Sequence, residues 1–200
     1  CRKAGIQPIF GLEVDLAALS INQPGNHRIN LLAQDEQGWS ELCALSSALN
    51  LNLPPAIPAT LDILNTHSQH LLAVCTAQDD ETGKTLQTLA EVFPSRLYVA
   101  LSNPDGRQQI AMERSAFLAS RLGLPVAAVQ PVYTVDTGKA DLLKTLAAIR
   151  LNTPVNSLRT EALPPPGSVM LSVEQLRLRF RDFPAALAAA EEIAQRCTFS

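Results

Sequence analysis

Leu71-Leu72-Ala73-Val74-Cys75, Arg96-Leu97-Tyr98-Val99-Ala100-Leu101 and Pro125-Val126-Ala127-Ala128-Val129 are three short apolar runs separated by segments with helix signals. Short runs without polar alternation are what strands covered on both faces look like. Residues 79–93 carry their acidic side chains in the first turn, where the helix dipole favours them, and stop at Pro94. Residues 108–122 read as the next helix, with Gly123 placed to close it in the left-handed conformation. Strand, helix, strand, helix with short connections predicts a parallel sheet or a barrel covered by helices, an α/β fold.

Upstream the pattern changes. Residues 8–16 (PIFGLEVDL) and 27–33 (HRINLLA) read as two strands joined by a turn holding Asn22, Pro24, Gly25 and Asn26, so a hairpin-like pair precedes the first long helix. That helix spans residues 36–50, with Asp35 as its N-cap and Trp39, Leu42, Cys43, Leu45 and Ser46 as its buried face. Residues 53–58 hold three prolines and read as a loop, and the polar stretch Asn65-Thr66-His67-Ser68-Gln69-His70 as an exposed one. Downstream, residues 136–151 form a helix, Pro164-Pro165-Pro166-Gly167 breaks the chain, and residues 173–180 and 182–197 are helical. This last part is Ala-rich and reads as a cover over the barrel or a connector to a following domain. There is no internal repeat.

The chain has 200 residues, enough for one domain with a sizeable core or two small ones. Apolar residues make up 46% and charged residues 18%, against a usual charged share of about 25%. That excludes a disordered tail and suggests that part of the surface is covered by something else. A net charge of −3 excludes, for the chain taken whole, binding of nucleic acid through phosphate neutralisation. No apolar run approaches the roughly 20 residues of a membrane span. Cys1, Cys43, Cys75 and Cys197 are far apart, with no C-x-x-C and no histidine at zinc-ligand spacing. They read as reduced thiols of a cytoplasmic protein, with Cys43 and Cys75 buried as small hydrophobes. The chain lacks a signal segment and opens at Cys1 without an initiator Met, so a segment of a longer protein is expected.

The order of motifs is more specific than any of these. Ala4-Gly5-Ile6-x-Pro8-Ile9-Phe10-Gly11-Leu12-Glu13 resembles the G-I-x-P-I-x-G-x-E strand of the PHP (polymerase and histidinol phosphatase) domain, in the form found at the front of the bacterial DNA polymerase III alpha subunit. The likeness continues in register. Leu31-Leu32-Ala33, Gly38-Trp39-x-x-Leu42 and Leu45-Ser46-Ser47 are similar to L-L-A…G-Y-x-N-L…L-S-S, Phe93-Pro94-x-Arg96-Leu97-Tyr98 to F-x-x-R-L-Y, and Gly123-Leu124-Pro125-Val126-Ala127-Ala128 to G-L-P-V-V-A. Val173-Glu174-Gln175-Leu176, Phe180, Asp182, Pro184 and Ile193-Ala194-x-x-Cys197 match the helical end of the domain, which leads into the polymerase palm.

The resemblance implies a distorted (β/α)7 barrel, incomplete here because its first strand is absent, with a helical C-terminal extension. It divides the chain into a barrel over residues 1–155 and a helical part over residues 156–200. Active members hold two or three metal ions at the C-terminal mouth of the barrel, through an early H-x-H, the Glu of G-x-E, isolated histidines and a late D-x-H. Closely spaced cations lower the pKa of a bridging water and clamp a phosphate. Here Glu13 fits the G-x-E position, whereas Pro131 stands where a ligand Asp is expected and Tyr133 where a ligand His is expected. After Leu97-Tyr98 the chain reads Val99-Ala100-Leu101-Ser102-Asn103-Pro104, without the acidic residue and histidine that the family often has there.

These departures imply an inert site. No catalytic, cofactor-binding or metal-ligating residue is expected, and Glu13 is a vestigial carboxylate bonded to Arg, Tyr or backbone. The function so implied is a scaffold and docking module, with the polymerase core of the same parent chain and a proofreading exonuclease subunit as partners, and DNA reached only through the parent polymerase. The alternative is a metal-dependent phosphoesterase or 3′–5′ exonuclease, binding Zn or Mn with Glu13 and an H-x-x-H pair of His67 and His70. Among the remaining polar residues, His27 reads as a turn residue, and Asp15 and Asp136 lack a partner at catalytic spacing. On a helix Arg177 and Arg181 share a face while Arg179 points elsewhere, and the run reads as a solvated or interdomain face rather than a nucleic-acid patch.

Overall fold

A computed structural model describes residues 2–16, 27–51, 61–77 and 79–199. The elements in chain order are β1 (Gly11–Leu16), β2 (His27–Ala33), α1 (Glu36–Leu51), α2 (Leu61–Thr66), β3 (Leu71–Thr76), α3 (Asp80–Val92), β4 (Leu97–Ser102), α4 (Gln109–Leu122), β5 (Val126–Val129), α5 (Ala140–Leu151), α6 (Val173–Arg179) and α7 (Pro184–Arg196). Short 3-10 turns fill several of the connections. The five described strands form one sheet in the order β1-β2-β3-β4-β5. The first two pairings are antiparallel, with Asp15 opposite Arg28 and Leu31 opposite Ala73; the last two are parallel, with Val74 beside Tyr98 and Ala100 beside Ala127. Both the hairpin at the front and the parallel unit behind it are therefore present. Among the described residues β1 and β5 are the two edges of the sheet.

The alternation of side chains across the pleat divides the core. Val14 and Leu16, Ile29 and Leu31, Leu71, Ala73 and Cys75, and Leu97 and Val99 point to one face, where they meet Leu42, Leu45 and Leu49 of α1, Leu64 of α2, Leu86 and Leu89 of α3, and Leu118 and Ala119 of α4. The opposite face carries Leu72, Val74, Tyr98, Ala100 and Ala127, covered by Ala189 and Ile193 of α7 and by Cys197. β3 and β4 are buried on both sides, which is why their sequences lack alternation. Each fully buried leucine here contributes about 1.5–3 kcal/mol. The small side chain of Ala189 lets α7 lie close on this face, whereas Ala186 packs with Leu101, Met112 and Phe180.

Local signals explain most boundaries. Asp79 caps α3 by accepting the Thr82 N–H at 2.8 Å. Gly123 closes α4 at φ +67°, and Ser172 and Gln175 form a reciprocal capping box on α6. Asp136 accepts the Gly138 N–H at 2.9 Å and so caps a single 3-10 turn, after which α5 starts at Ala140. The last helix begins at Pro184, whose fixed φ suits the first helical position, not at residue 182.

Other expectations need correction. The buried face of α1 is Gly38, Leu42, Leu45 and Leu49, and Trp39 and Cys43 are exposed. Trp39 is drawn outward by an aromatic cluster: it stacks on Phe199 at 5.7 Å and meets Phe10 edge-on at 5.1 Å. The stretch taken as an exposed loop before β3 is partly the helix α2, and Ser68 within it is fully buried. The turn of Asn22, Pro24, Gly25 and Asn26 and the proline-rich residues 53–58 lie outside the described residues. No helix among the described residues is long and apolar enough to cross a membrane.

Candidate functional site

Alternation along β1 sends Val14 and Leu16 into the core and leaves Glu13 and Asp15 on the opposite face. Arg28 of β2, directly across from Asp15, lies on that same face. Its guanidinium reaches both carboxylates, with Nη1 donating to Glu13 Oε1 at 3.2 Å and Nε donating to Asp15 Oδ1 at 3.1 Å. All three side chains are about half exposed (56%, 53% and 52%), so each ion pair is solvent-screened and contributes about 0–1 kcal/mol. Glu13 is therefore bonded to an arginine, and Asp15 has the same partner. His27 opens β2 opposite Leu16 rather than ending a turn.

Arg28 also lines an open cleft of about 450 Å³, whose other walls include Tyr133, Leu143 and Leu146 of α5, Arg150 and Pro164. Fold and sequence thus bring the G-x-E glutamate and the tyrosine at the late ligand position to one region, joined through Arg28. Tyr133 is held there by its backbone, and the segment before it by the Gln130 side chain, whose Nε2 also donates to the Pro131 carbonyl at 3.3 Å. The Tyr133 N–H donates to the Ser168 carbonyl at 2.9 Å, and Gln130 Nε2 donates to the carbonyls of Gly167 and Val169 at 3.0 and 3.1 Å.

Beyond β4, Asn103 is buried and its Oδ1 accepts the Gln108 N–H at 2.8 Å, and Arg179 donates to the carbonyls of Asn103 and Pro104. Arg179, which helical spacing sets apart from Arg177 and Arg181, thus fastens α6 to the loop after β4. Arg181 lies past the end of α6, with Asp182 beside it at 3.7 Å.

His67 and His70 do different things. The His67 N–H ends α2 by donating to the Ile63 and Leu64 carbonyls. His70 lies between two acidic residues of the α1 region: its Nδ1 is 2.8 Å from Asp35 Oδ2, and its N–H donates to Glu41 Oε2 at 2.8 Å. Asp35 simultaneously accepts the Gly38 N–H at 2.9 Å, so the expected N-cap is also the partner of the histidine. Among the described residues no group of three or more His, Cys, Asp or Glu side chains is arranged so that it could hold a metal ion.

The Asp35 network sets a pH dependence. Burial raises the Asp35 carboxyl, but the Gly38 N–H, the hydrogen bond and charge of His70 and the Gln37 N–H outweigh it and hold the group below its ordinary value. A carboxyl lowered in the fold stabilises the fold above its unfolded pKa, and that contribution disappears as the pH falls through the folded value. Replacing Asp35 with Asn is expected to flatten the acid side of the stability profile below about pH 4, as read by circular dichroism. An unchanged acid limb would count against this capping network.

A second polar network holds the end of the chain. Tyr98 donates to Glu192 Oε1 at 2.9 Å, Arg196 Nη1 donates to the Tyr98 oxygen at 2.7 Å, and Arg196 Nη2 donates to Gln34 Oε1 at 3.3 Å. Thr198 N–H donates to the Gln34 carbonyl at 2.6 Å, and Gln7 Nε2 to the Cys197 carbonyl. Burial pushes the Cys75 thiol up to about 11 against a hydrogen bond with Thr76, so it stays protonated and unreactive near neutral pH. Tyr98, Glu192 and Arg196 thus tether α7 to β4 and to the segment before α1.

The sequence profile of the PHP domain matches residues 1–119. Error-prone DNA polymerase of Anaeromyxobacter dehalogenans (strain 2CP-C) is 28% identical over 213 residues, covering 99% of this chain and 18% of the relative. Error-prone DNA polymerase of Methylococcus capsulatus is 31% identical over 186 residues, covering 86% of this chain and 17% of the relative. DNA polymerase III subunit alpha of Escherichia coli (strain K12) is 26% identical over 211 residues, covering 97% of this chain and 18% of the relative. The chain thus spans less than a fifth of the length of these curated relatives.

Proposed function

The chain belongs to the PHP domain family, and on that premise we propose that it is a catalytically inert PHP-like domain of a bacterial polymerase of the DNA polymerase III alpha kind, acting as scaffold and docking module in DNA replication. One observation carries the reading: the glutamate at the family's G-x-E position is bonded to Arg28, which also holds Asp15. Pro131, a residue without a donor side chain, and Tyr133, a phenol in place of an imidazole, stand at the late positions. Glu13 is on this reading a vestige, and neither catalytic nor cofactor-binding residues are assigned.

The division of the chain follows from the same reading. We take the five-strand sheet as an arc of a distorted (β/α)7 barrel over residues 1–155, and residues 156–200 as the helical part leading toward a polymerase palm. The polymerase relatives align through nearly all of the chain, past residue 119 where the family profile stops. This favours the polymerase version of the domain over a free-standing phosphatase. The partners are then the polymerase core of the same parent chain and a proofreading exonuclease subunit, with DNA met through the parent, in the cytoplasm. Relatives of both error-prone and alpha-subunit type align, and the reading covers either.

The competing reading, a phosphoesterase or 3′–5′ exonuclease using Zn or Mn, is tested directly. After equilibration with Zn²⁺ or Mn²⁺ and desalting, elemental analysis is expected to find no stoichiometric metal. Melting should move by less than about 1 °C, since a tightly held ion must stabilise the fold that holds it. No hydrolysis of 3′-labelled DNA is expected. Stoichiometric metal together with loss of the 3′ label would overturn the proposal.

A further inference from the structure

Glu13 and Asp15 lie two residues apart on one face of an edge strand, and the register places Arg28 opposite the second of them. Two carboxylates so placed are a start toward a hard-cation site, because divalent ions take carboxylate oxygens at short range. Yet one acceptor oxygen on each is already engaged, by two different nitrogens of a single guanidinium at 3.2 and 3.1 Å. A divalent ion entering here meets a pair whose charge is halved and a permanent cation a few ångströms away. The cleft that Arg28 lines adds no carboxylate: its polar side chains besides Arg28 are the Tyr133 phenol and Arg150, a second cation. The donor set therefore does not fit a divalent metal.

We propose that Arg28 is the resident cation of this site: it takes the place of a metal between Glu13 and Asp15 and closes the carboxylate pair to divalent ions. The inference rests on the inert reading above and adds to it the residue that enforces it. The exclusion is electrostatic rather than structural, since these half-exposed pairs hold little of the stability of the fold. Removing the guanidinium should open the pair without unfolding the sheet.

The test is a Mn²⁺ titration of the chain, with free Mn²⁺ read by electron paramagnetic resonance, and with circular dichroism to confirm folding. The unsubstituted chain is expected to bind no more Mn²⁺ than Glu13→Gln. Arg28→Ala should gain a site with affinity raised about tenfold or more, the scale set by removing one unit charge at this range. Adding Glu13→Gln to Arg28→Ala should abolish the gain, and Arg28→Lys, which keeps a cation, should not show it. Folded Arg28→Ala without added Mn²⁺ binding, or with binding indifferent to Glu13, would overturn the role of Arg28 while leaving the inert reading standing. Glu13-dependent binding by the unsubstituted chain would overturn both.

Discussion

Replacing Gly38 with alanine is expected to destabilise the chain by about 2 kcal/mol, although alanine is the better helix former. Gly38 sits in the first turn of α1, where the helix crosses the junction between β2 and β3. A Cβ there would meet the carbonyl oxygen of His70 and lie 3.1 Å from the Cα of Ala33, both of them backbone. That carbonyl already accepts the Gln34 N–H at 3.1 Å, so moving it strains the pairing that starts both strands. Overpacking against backbone costs about 1–3 kcal/mol and here belongs at the upper end, and the helix propensity gained returns about 1 kcal/mol. In a chain of this size the balance lowers the melting temperature by about 4–8 °C. Gly83→Ala on α3 is the control. Its Cβ would meet only the side chain of Leu118, at 3.2 Å, which can rotate away, so little change or a slight gain is expected. Equal melting of the two variants would show that α1 does not pack on residues 33 and 70 as described.

Gly38 also shows what the sequence could and could not disclose. The Gly38-Trp39-x-x-Leu42 motif was legible as part of a family likeness, but its physical cause, a helix pressed against a carbonyl, depends on a contact between residues 38 and 70. Strands β2 to β5 and helices α1, α3 and α4 could be read from the sequence because apolar runs, caps and Gly123 are local signals. The outward turn of Trp39 could not, because its partners Phe10 and Phe199 lie at opposite ends of the chain. The short helix α2 was hidden by its polar surroundings, with Leu64 alone fully buried in it. At the candidate site, Glu13, Pro131 and Tyr133 could be named from the sequence, yet Arg28 could not. A basic residue on an alternating strand looks like any solvated one until the register sets Asp15 across from it. Asp35 was found for its cap, and its bond to His70 was missed for the same reason.

The larger loss is expected at Phe93. Truncation to alanine should cost about 3–5 kcal/mol, the range for deleting a buried phenyl ring, whereas Phe93→Leu should cost under about 1.5 kcal/mol. Phe93 has no exposed surface and belongs to the core that the sheet shares with α1 to α4. Its N–H closes α3 on the Leu89 carbonyl at 2.9 Å, and its carbonyl accepts the Arg96 N–H at 3.0 Å across a turn in which Ser95 takes a left-handed φ of +58°. The Arg96 guanidinium lies 5.6 Å from the ring centroid and donates to the carbonyls of Ser68, Leu71 and Val92. One ring therefore supports the end of α3, the start of β4 and the cation that ties β3 to both. Chemical denaturation of the three proteins checks the ordering, and Phe93→Ala as stable as Phe93→Leu would remove this core assignment. The expected result bears on function as well. Within Phe93-Pro94-x-Arg96-Leu97-Tyr98, the phenyl ring, the guanidinium and the two strand side chains that follow all pack or fasten. The family likeness there is a likeness of architecture, and it can persist in a domain whose carboxylates are bonded to an arginine.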